Sequence, residues 1–299
     1  RRVLFRSAFY FRHESTRHVM VLTDRPDGWP DAVPGALAYS RAPAPEPRFS
    51  TWRRLGRVVS GNYHVDDYDP LKPGARFEAT FATQTRWPGA ERYEIYDYPA
   101  FAADPAVARR RLESRRDAGD ASHDTVLASS DAPGFHAGAV FRLSAHERKE
   151  EKGKYLVTRV SHRAWDRSYL SGQEGDAGYA NEIAAIPATT PWRPGHGTVK
   201  PVMRGPQSAV VTGPKGEEIH VDEHGRVKIQ FHWDRDGKRD ENTTCWVRVM
   251  QAWAGNKWGT QFIPRIGQEV IVDFLDGDPD RPIITGAVYN GDNRPPFAT

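Results

Sequence analysis

Apolar and polar residues alternate with a period of two through much of this chain, and the pattern is sharpest between Glu217 and Gly291. Over Arg226–Trp233, Val227, Ile229, Phe231 and Trp233 alternate with Arg226, Lys228, Gln230 and His232, the mark of a strand with one buried face. That phase predicts Trp233 as core. Ile219–Val221 joins this strand through Glu223-His224-Gly225, which reads as a β-hairpin. Further strands are expected at Thr244–Gln251, at Glu269–Leu275 after the Gly267 turn, and at Ile283–Tyr289 after the turn Gly277-Asp278-Pro279-Asp280. Five or so short strands with no helical period between them describe a small closed barrel. On Thr244–Gln251, Cys245 falls in phase with Val247 and Val249, so it is expected inside, with Trp246 on the opposite face.

Upstream the pattern is looser but still strand-like. Ala8–Phe11 and His18–Leu22 flank a polar turn and predict a hairpin. Pro26, Pro30, Pro34, Pro43, Pro45 and Pro47 crowd the next stretch, which predicts an ordered loop or linker outside the core. Strand-like runs return at Leu55–Ser60 and Arg76–Thr83, then at Gly138–Leu143 and Tyr155–His162 on either side of the charged turn His146–Lys154. One helix is expected: Asp104 as N-cap, Pro105 at the first helical position and Gly119 closing the end. Ala108 and Leu112 form its narrow apolar face, ringed by Arg109, Arg110, Arg111, Arg115 and Arg116. A solvated helix face accounts for these arginines better than a nucleic-acid or membrane patch, because long Arg stems cover apolar surface while their heads stay wet. Gly172–Gly178 reads as a flexible insertion and Asn181–Pro194 as the approach to the small barrel. Pro191, Pro194, Gly195 and Gly197 mark a boundary, giving a domain over residues 1–190, a linker over 191–197 and a second domain over 198–299.

The chain has 299 residues, enough for two domains, and at 38% hydrophobic it can build cores. No run of 18 apolar residues occurs, and Arg1-Arg2-Val3-Leu4-Phe5 is too short and basic for a signal-peptide apolar region. The first residue is not Met and Ala8–Phe11 already reads as strand, so the sequence is expected to begin inside a domain. A single cysteine excludes an internal disulfide framework and Cys-rich zinc sites. The net charge of +3 divides into +4 over residues 1–195 and −1 over 196–299, from 29 basic against 25 acidic and 13 against 14. Neither part carries the basic stripe of a nucleic-acid groove.

Each stretch that could carry chemistry has a simpler reading. His220-Val221-Asp222-Glu223-His224 satisfies H-x-x-E-H, but that pattern needs a helix to bring both imidazoles to one face, and here the flanks alternate with period two. Asp234-Arg235-Asp236-Gly237 and Asp276-Gly277-Asp278-Pro279-Asp280 look like calcium loops, yet Gly and ligand positions are wrong and turns explain them. G-x-S-x-G, G-x-x-x-x-G-K-[ST] and G-x-G-x-x-G are absent, and His146-Glu147 lacks a second His. A thiol inside a strand would be inert, which disfavours a Cys245/His nucleophile. Asn242-Thr243-Thr244 is a glycosylation sequon without a secretory route. No catalytic, metal or cofactor-binding residue is assigned, and the chain is expected not to be an enzyme. Trp233, Trp246, Trp253 and Trp258 could stack bases or sugars on a barrel, but with no basic surplus around them core or interface is favoured. In Glu269–Leu275, Val270, Val272 and Phe274 share one face while Ile271 and Leu275 lie on the other, and surplus apolar surface of this kind suits oligomerisation.

The runs HVDEHGRVKIQFHWDRDG, CWVRVMQAWAGNKWG and IPRIGQEVIVDFLDGDPDRPIITGAVYN closely resemble the oligonucleotide/oligosaccharide-binding (OB) barrel of the type VI secretion spike family, the valine-glycine repeat (VgrG) proteins, similar in design to the hub and spike of contractile phage tails. Upstream, AFYFRHESTRHVMVLTD, Ser60-Gly61, Asp67-Tyr68-Asp69-Pro70, Tyr96-Asp97-Tyr98-Pro99, Arg111-Leu112-Glu113 and Val160-Ser161-His162 resemble the family's hub region. The resemblance covers residues 8 to 297 and implies a mainly β fold with minor α: a phage-hub-like β-barrel domain, N-terminally incomplete, then a five-stranded OB-fold barrel. It implies a homotrimer seated on a secretion tube, with an Hcp-like tube protein, a PAAR-repeat tip protein and effectors or adaptors as partners and no nucleic acid. Such a spike waits in the bacterial cytoplasm and leaves through the contractile apparatus, without a signal peptide. The family's β-helix and the start of its hub are expected to be missing. The alternatives are a spike of a contractile phage tail or extracellular injection particle, an OB-fold nucleic-acid or glycan binder, and a cell-wall hydrolase, which would need a paired-carboxylate cleft.

Overall fold

In the computed structural model, residues 7–25, 27–75, 77–85, 87–102, 104–166, 177–195 and 199–297 are described. Strands β1 (Ala8–His13) and β2 (His18–Thr23) pair antiparallel as the expected hairpin. Ala8 and Tyr10 face inward, and Tyr10 packs against Trp29 and His136. Phe9 and Phe11, opposite Leu22 and Met20, point to solvent.

A six-stranded sheet follows. Its members are β3 (Asp31–Ala38) and β4 (Phe49–Gly56), then, beyond the short strands β5 (Asn62–Val65), β6 (Ala79–Ala82) and β7 (Glu94–Asp97) and helix α1 (Pro105–Asp120), β8 (Asp124–Ser130), β9 (Val140–Ala145), β10 (Gly153–Asp166) and β11 (Ala177–Pro187). The order is β3-β9-β10-β11-β8-β4. A parallel bridge between Tyr39 and Phe49, with the Ser40 N–H donating to the Phe49 carbonyl at 3.0 Å, brings the two edge strands together and curls the sheet into a barrel. Inside, Phe49, Phe135, Phe141 and Tyr155 pack together with ring centroids 5.1 to 5.7 Å apart. Val126, Val157, Leu143 and Ala185 complete a core that excludes water. Each such aromatic or aliphatic side chain contributes about 1.5–3 kcal/mol by burial.

Three features of this region differ from the sequence reading. The proline-rich stretch is not all loop, because Ala32 and Leu37 of β3 are buried in the barrel. Pro34 is tolerated because β3 is an edge strand whose register jumps between Asp31 and Ala36, so the residue without an N–H falls in an irregularity of the ladder. The strand expected at Leu55–Ser60 lies earlier, at β4, and Arg57–Ser60 are outside it. Asn181–Pro187 belong to β11, where Ile183, Ala185 and Ile186 are core, rather than leading out of the domain. Of the expected insertion Gly172–Gly178, residues 172–176 lie outside the described residues, as do Arg1–Arg6, Pro26, Arg76, His196 and Gly197, while Ala177 and Gly178 open β11.

The small sheet β6-β5-β7 packs on α1 through Tyr63, Val65, Phe77, Ala79, Ala108 and Leu112. The helix begins as expected: the Asp104 carboxylate accepts the Val107 N–H at 2.8 Å and Pro105 occupies the first turn. It runs one residue past Gly119, and Arg116 is buried instead of solvated, its guanidinium held by Asp117 at 2.7 Å beside the Phe81 ring. Asp120, almost fully buried, accepts the Thr83 hydroxyl and the Gln84 N–H and ties the β6–β7 connection to the helix end.

Contacts divide the chain into one unit over Arg1–Gly197 and another over Thr198–Thr299. The second unit comprises β12 (Gln207–Thr212), β13 (Lys228–Phe231), β14 (Arg248–Val249), the short pair β15 (Ala254–Gly255) and β16 (Trp258–Gly259), β17 (Glu269–Phe274) and β18 (Pro282–Val288). Its sheet has the order β13-β12-β17-β18-β14, with β14 parallel to β18 and the other pairs antiparallel. Val227 and Val247 exchange both backbone bonds, at 3.0 and 2.8 Å, and close the ring between β13 and β14. Ala209, Val211, Val227, Ile229, Val247, Val270, Val272 and Ile284 fill it, all at most 1% exposed. The hairpin expected at Ile219–Val221 is reduced to one bridge, Val221 to Val227. Ahead of β12, a strap is fastened to the turn after β17. There the Met203 N–H donates to the Gly277 carbonyl at 2.8 Å, and Lys200 reaches the buried Asp278 carboxylate at 2.5 Å.

Candidate functional site: an assembly surface

The residues that sequence patterns nominate for chemistry do not converge. His220 lies on the Trp246 ring, 5.0 Å between centroids, and near Glu217, whereas His224 is exposed beside Glu223. Among the described residues no three His, Cys, Asp or Glu side chains are grouped so as to hold a metal ion. Asp234 turns its carboxylate on the N–H groups of Asp236 and Gly237, and the same turn is clasped by the buried Gln230 side chain, which bonds Asp234, Gly237 and Arg239. Asp276 and Gly277 adopt left-handed conformations, and Asp278 is taken up by Lys200. These are turns, each closed by its own carboxylate.

A pair of carboxylates does approach in the hub-like unit, but a guanidinium sits between them. Arg54 binds both oxygens of Asp124 and lies 3.5 Å from Glu151, which also accepts the Trp52 indole N–H at 3.0 Å. Burial would lower the Arg54 pKa, but the Asp124 hydrogen bond dominates and raises it, so the cation is fixed. Burial pushes the neighbouring Tyr155 hydroxyl up from its ordinary value, and it donates to the Glu151 carbonyl at 2.6 Å. No sequence signal announced this network, because its members come from three separate segments. Its arrangement is a structural clamp, not the acid and base pair that glycoside hydrolysis requires.

What the second unit does present is exposed aromatic surface. Trp233, expected in the core, is 64% exposed. β13 stops at Phe231, and the chain turns before the alternation can carry Trp233 inward; the indole stacks on Phe231 and its N–H donates to Gln207 at 2.8 Å. Cys245 is exposed as well, because the ladder resumes only at Val247. Trp246 is half-buried, with the Lys228 ammonium 5.1 Å from its ring centre. Between β14 and β17 a finger carries Met250, Trp253, Trp258 and Phe262, 57 to 74% exposed. Trp253 and Trp258 meet edge to face at 5.0 Å, Gln251 bonds both the N–H and the C=O of Phe262, and Thr260 bonds both those of Trp253. These bonds tie the two sides of the finger together. On the opposite seam the Asn290 amide and Ser208 hydroxyl hold the Glu269 carboxyl below its ordinary range.

Residues 7–168 match the family described as phage tail baseplate hub (GPD), and residues 209–289 match the type VI secretion system/phage-baseplate injector OB domain. Among curated proteins, the chain is 42% identical over 294 residues to the type VI secretion system spike protein VgrG1b of Pseudomonas aeruginosa and 41% identical over 298 residues to VgrG1a of the same organism. These alignments cover 97% of the chain but 40% and 46% of the relatives. The chain thus spans less than half the length of these curated relatives. The actin cross-linking toxin VgrG1 of Vibrio cholerae is 36% identical over 295 residues, covering 97% of the chain and 27% of that protein. Among solved structures, the lidded Francisella PdpA-VgrG complex aligns with TM-score 0.54 at 8% identity, over 96% of this chain and 46% of that one. The lidless complex aligns with TM-score 0.51 at 7% identity, over 96% and 56%. These share the fold. Both matched families are structural parts of injection machines, and among the described residues no helix is long and apolar enough to cross a membrane. A hub barrel followed by a closed OB barrel, with some 40% identity along nearly its whole length, makes this chain a member of the phage-baseplate hub family in its type VI secretion spike (VgrG) branch.

Proposed function

We propose that the chain serves as a structural component of a type VI secretion spike, trimerising on the secretion tube and helping to puncture target membranes and deliver effectors. It works without catalysis of its own. Residues 1–190 form the hub domain, 191–197 the linker and 198–299 the spike-base barrel. The observation that carries this reading is the exposed, hydrogen-bonded aromatic finger on a barrel whose own core is already complete. The finger's four large apolar side chains are each more than half exposed, and clustered apolar surface of this kind marks interaction sites. Its partners are further copies of itself, an Hcp-like tube protein, a PAAR-repeat tip protein and effectors or adaptors. It waits in the bacterial cytoplasm and leaves through the contractile apparatus. A spike of a phage tail or extracellular injection particle would use the same architecture.

Solution mass by light scattering, on this chain and on a version extended through the family's β-helix, tests the proposal. The extended version is expected at three times its chain mass. An extended version that stays monomeric overturns it. Single-stranded DNA binding with a steep salt dependence would instead favour the nucleic-acid reading.

A further inference from the structure

The outer face of the hub barrel is covered at one end and open at the other. Ala121, Leu156 and Ile186 are roofed by Trp29 and Trp192. Farther along, four adjacent strands carry two ranks of outward side chains, exposed except for the partly buried Leu127 and Ser129 and the buried Ala184. One rank is Arg53, Leu127, Ala184 and Arg159, cross-strand neighbours on β4, β8, β11 and β10; the next is Thr51, Ser129, Glu182 and Ser161. All eight alternate with core residues such as Val126, Ala128, Ile183 and Ala185, so they share the outward face. All of them but Ala184 border a trough of about 820 Å³, within the size range of binding clefts.

The charge in this trough is unspent. Arg53, Arg159 and Glu182 are exposed, and among the described residues they make no ion pair. Leu127 gives an apolar floor between Arg53 and Arg159, and Thr51, Ser129 and Ser161 add hydroxyls along one side. Three strand spacings separate Arg53 from Arg159, roughly 14 Å at their backbones.

We propose that this trough is a docking site for an acidic, extended polypeptide segment of a partner, laid across the strands with carboxylates on Arg53 and Arg159. An extended chain rises about 3.3 Å per residue, so carboxylates four residues apart span the gap. A nucleic-acid backbone fits poorly: it carries a charge every few ångströms, and Glu182 would repel its middle phosphates. Guanidinium groups can each take a carboxylate with two parallel bonds, which gives the site direction as well as charge.

A fluorescein-labelled nine-residue peptide with two glutamates four residues apart, in a Ser/Gly background, tests this by anisotropy against the full chain. Saturable binding below about 1 mM is expected, weakening with salt. R53Q and R159Q should each weaken it by about tenfold, the factor for one charge-assisted contact of 1.4 kcal/mol. E182Q should strengthen it, and lysines in place of the glutamates should abolish it. Unchanged binding in R53Q and R159Q, equal binding of the lysine peptide, or tighter binding of a labelled oligo-dT would each overturn the proposal. All three positions lie on the exposed outer face, so identical melting temperatures of the variants separate lost docking from lost folding.

Discussion

The strap that enters the OB barrel is held mainly by one buried carboxylate, and replacing Asp278 with Asn tests how much that fastening contributes. The Asp278 side chain is 1% exposed, yet it receives the Lys200 ammonium at 2.5 Å, the Asp280 N–H at 2.9 Å and the Arg281 guanidinium at 3.7 Å. An amide of the same shape keeps the volume but withdraws the charge. A charge-assisted bond contributes about 1.5–3 kcal/mol, and removing one partner of a fully buried pair costs about 3–5. Lys200 is 36% exposed and also lies 3.1 Å from Asp280, so it can rehydrate and keep a second partner. The expected loss therefore sits at the lower end, about 2 kcal/mol. For a unit of this size that lowers the melting temperature by about 8–16 °C, since each kcal/mol is worth about 4–8 °C. Calorimetry of the whole chain should show the shift in the transition of the OB unit alone. Asp280→Asn removes the 82% exposed partner of the same lysine and should cost no more than about 0.5 kcal/mol. Equal shifts for the two variants, or a shift below about 2 °C for Asp278→Asn, would refute the assignment of the fastening to the buried carboxylate.

A Cβ on Gly134 would stand 1.8 Å from the Val33 carbonyl oxygen, so Gly134→Ala should destabilise the hub unit by about 1–3 kcal/mol in denaturant titration, while Gly56→Ala, with nothing within 4 Å, should change it by less than about 0.5. Burial acts to raise the pKa of Asp222, but the Arg226 backbone and side chain and the His224 N–H outweigh it and hold the carboxyl below its ordinary value. Its contribution to stability is therefore complete above about pH 4 and is lost as pH falls through the depressed folded value; Asp222→Asn should flatten that part of the stability profile, and an unchanged profile counts against the pairing. Cys245 should react with a thiol reagent at one equivalent per chain without denaturant, and a requirement for unfolding would return it to the core.

Much of this fold was legible where pattern and local chemistry agree. Asp104 and Pro105 announced the helix start because an N-cap and a proline need no tertiary help, and Val270, Val272 and Phe274 announced β17 because one face of that strand is dry. Two of the misreadings share a different cause, the substitution of side chains for backbone in the ladder. The Thr244 hydroxyl, not a backbone carbonyl, takes the Ile229 N–H at 3.1 Å, so the strand frame that would bury Cys245 never forms there. Trp233 failed likewise because Gln230 reaches ahead to organise the turn beyond Phe231. β12 (Gln207–Thr212), the central neighbour of β13 and β17, was missed because Gln207 and Ser208 dilute its short apolar run. The outer trough of the hub barrel was invisible for a topological reason: Arg53, Leu127, Ala184 and Arg159 are neighbours only once four strands distant in sequence lie side by side.

The paired bonds between Val227 and Val247 have a further effect. By joining the last strand of the OB sheet to the first, they leave that cylinder with no open border at which a stranger's backbone could add itself. Subunits of this shape can be crowded tightly around an axis without polymerising through their main chains. At that ring, contacts with a neighbour would be made by side chains, where a single substitution can edit them.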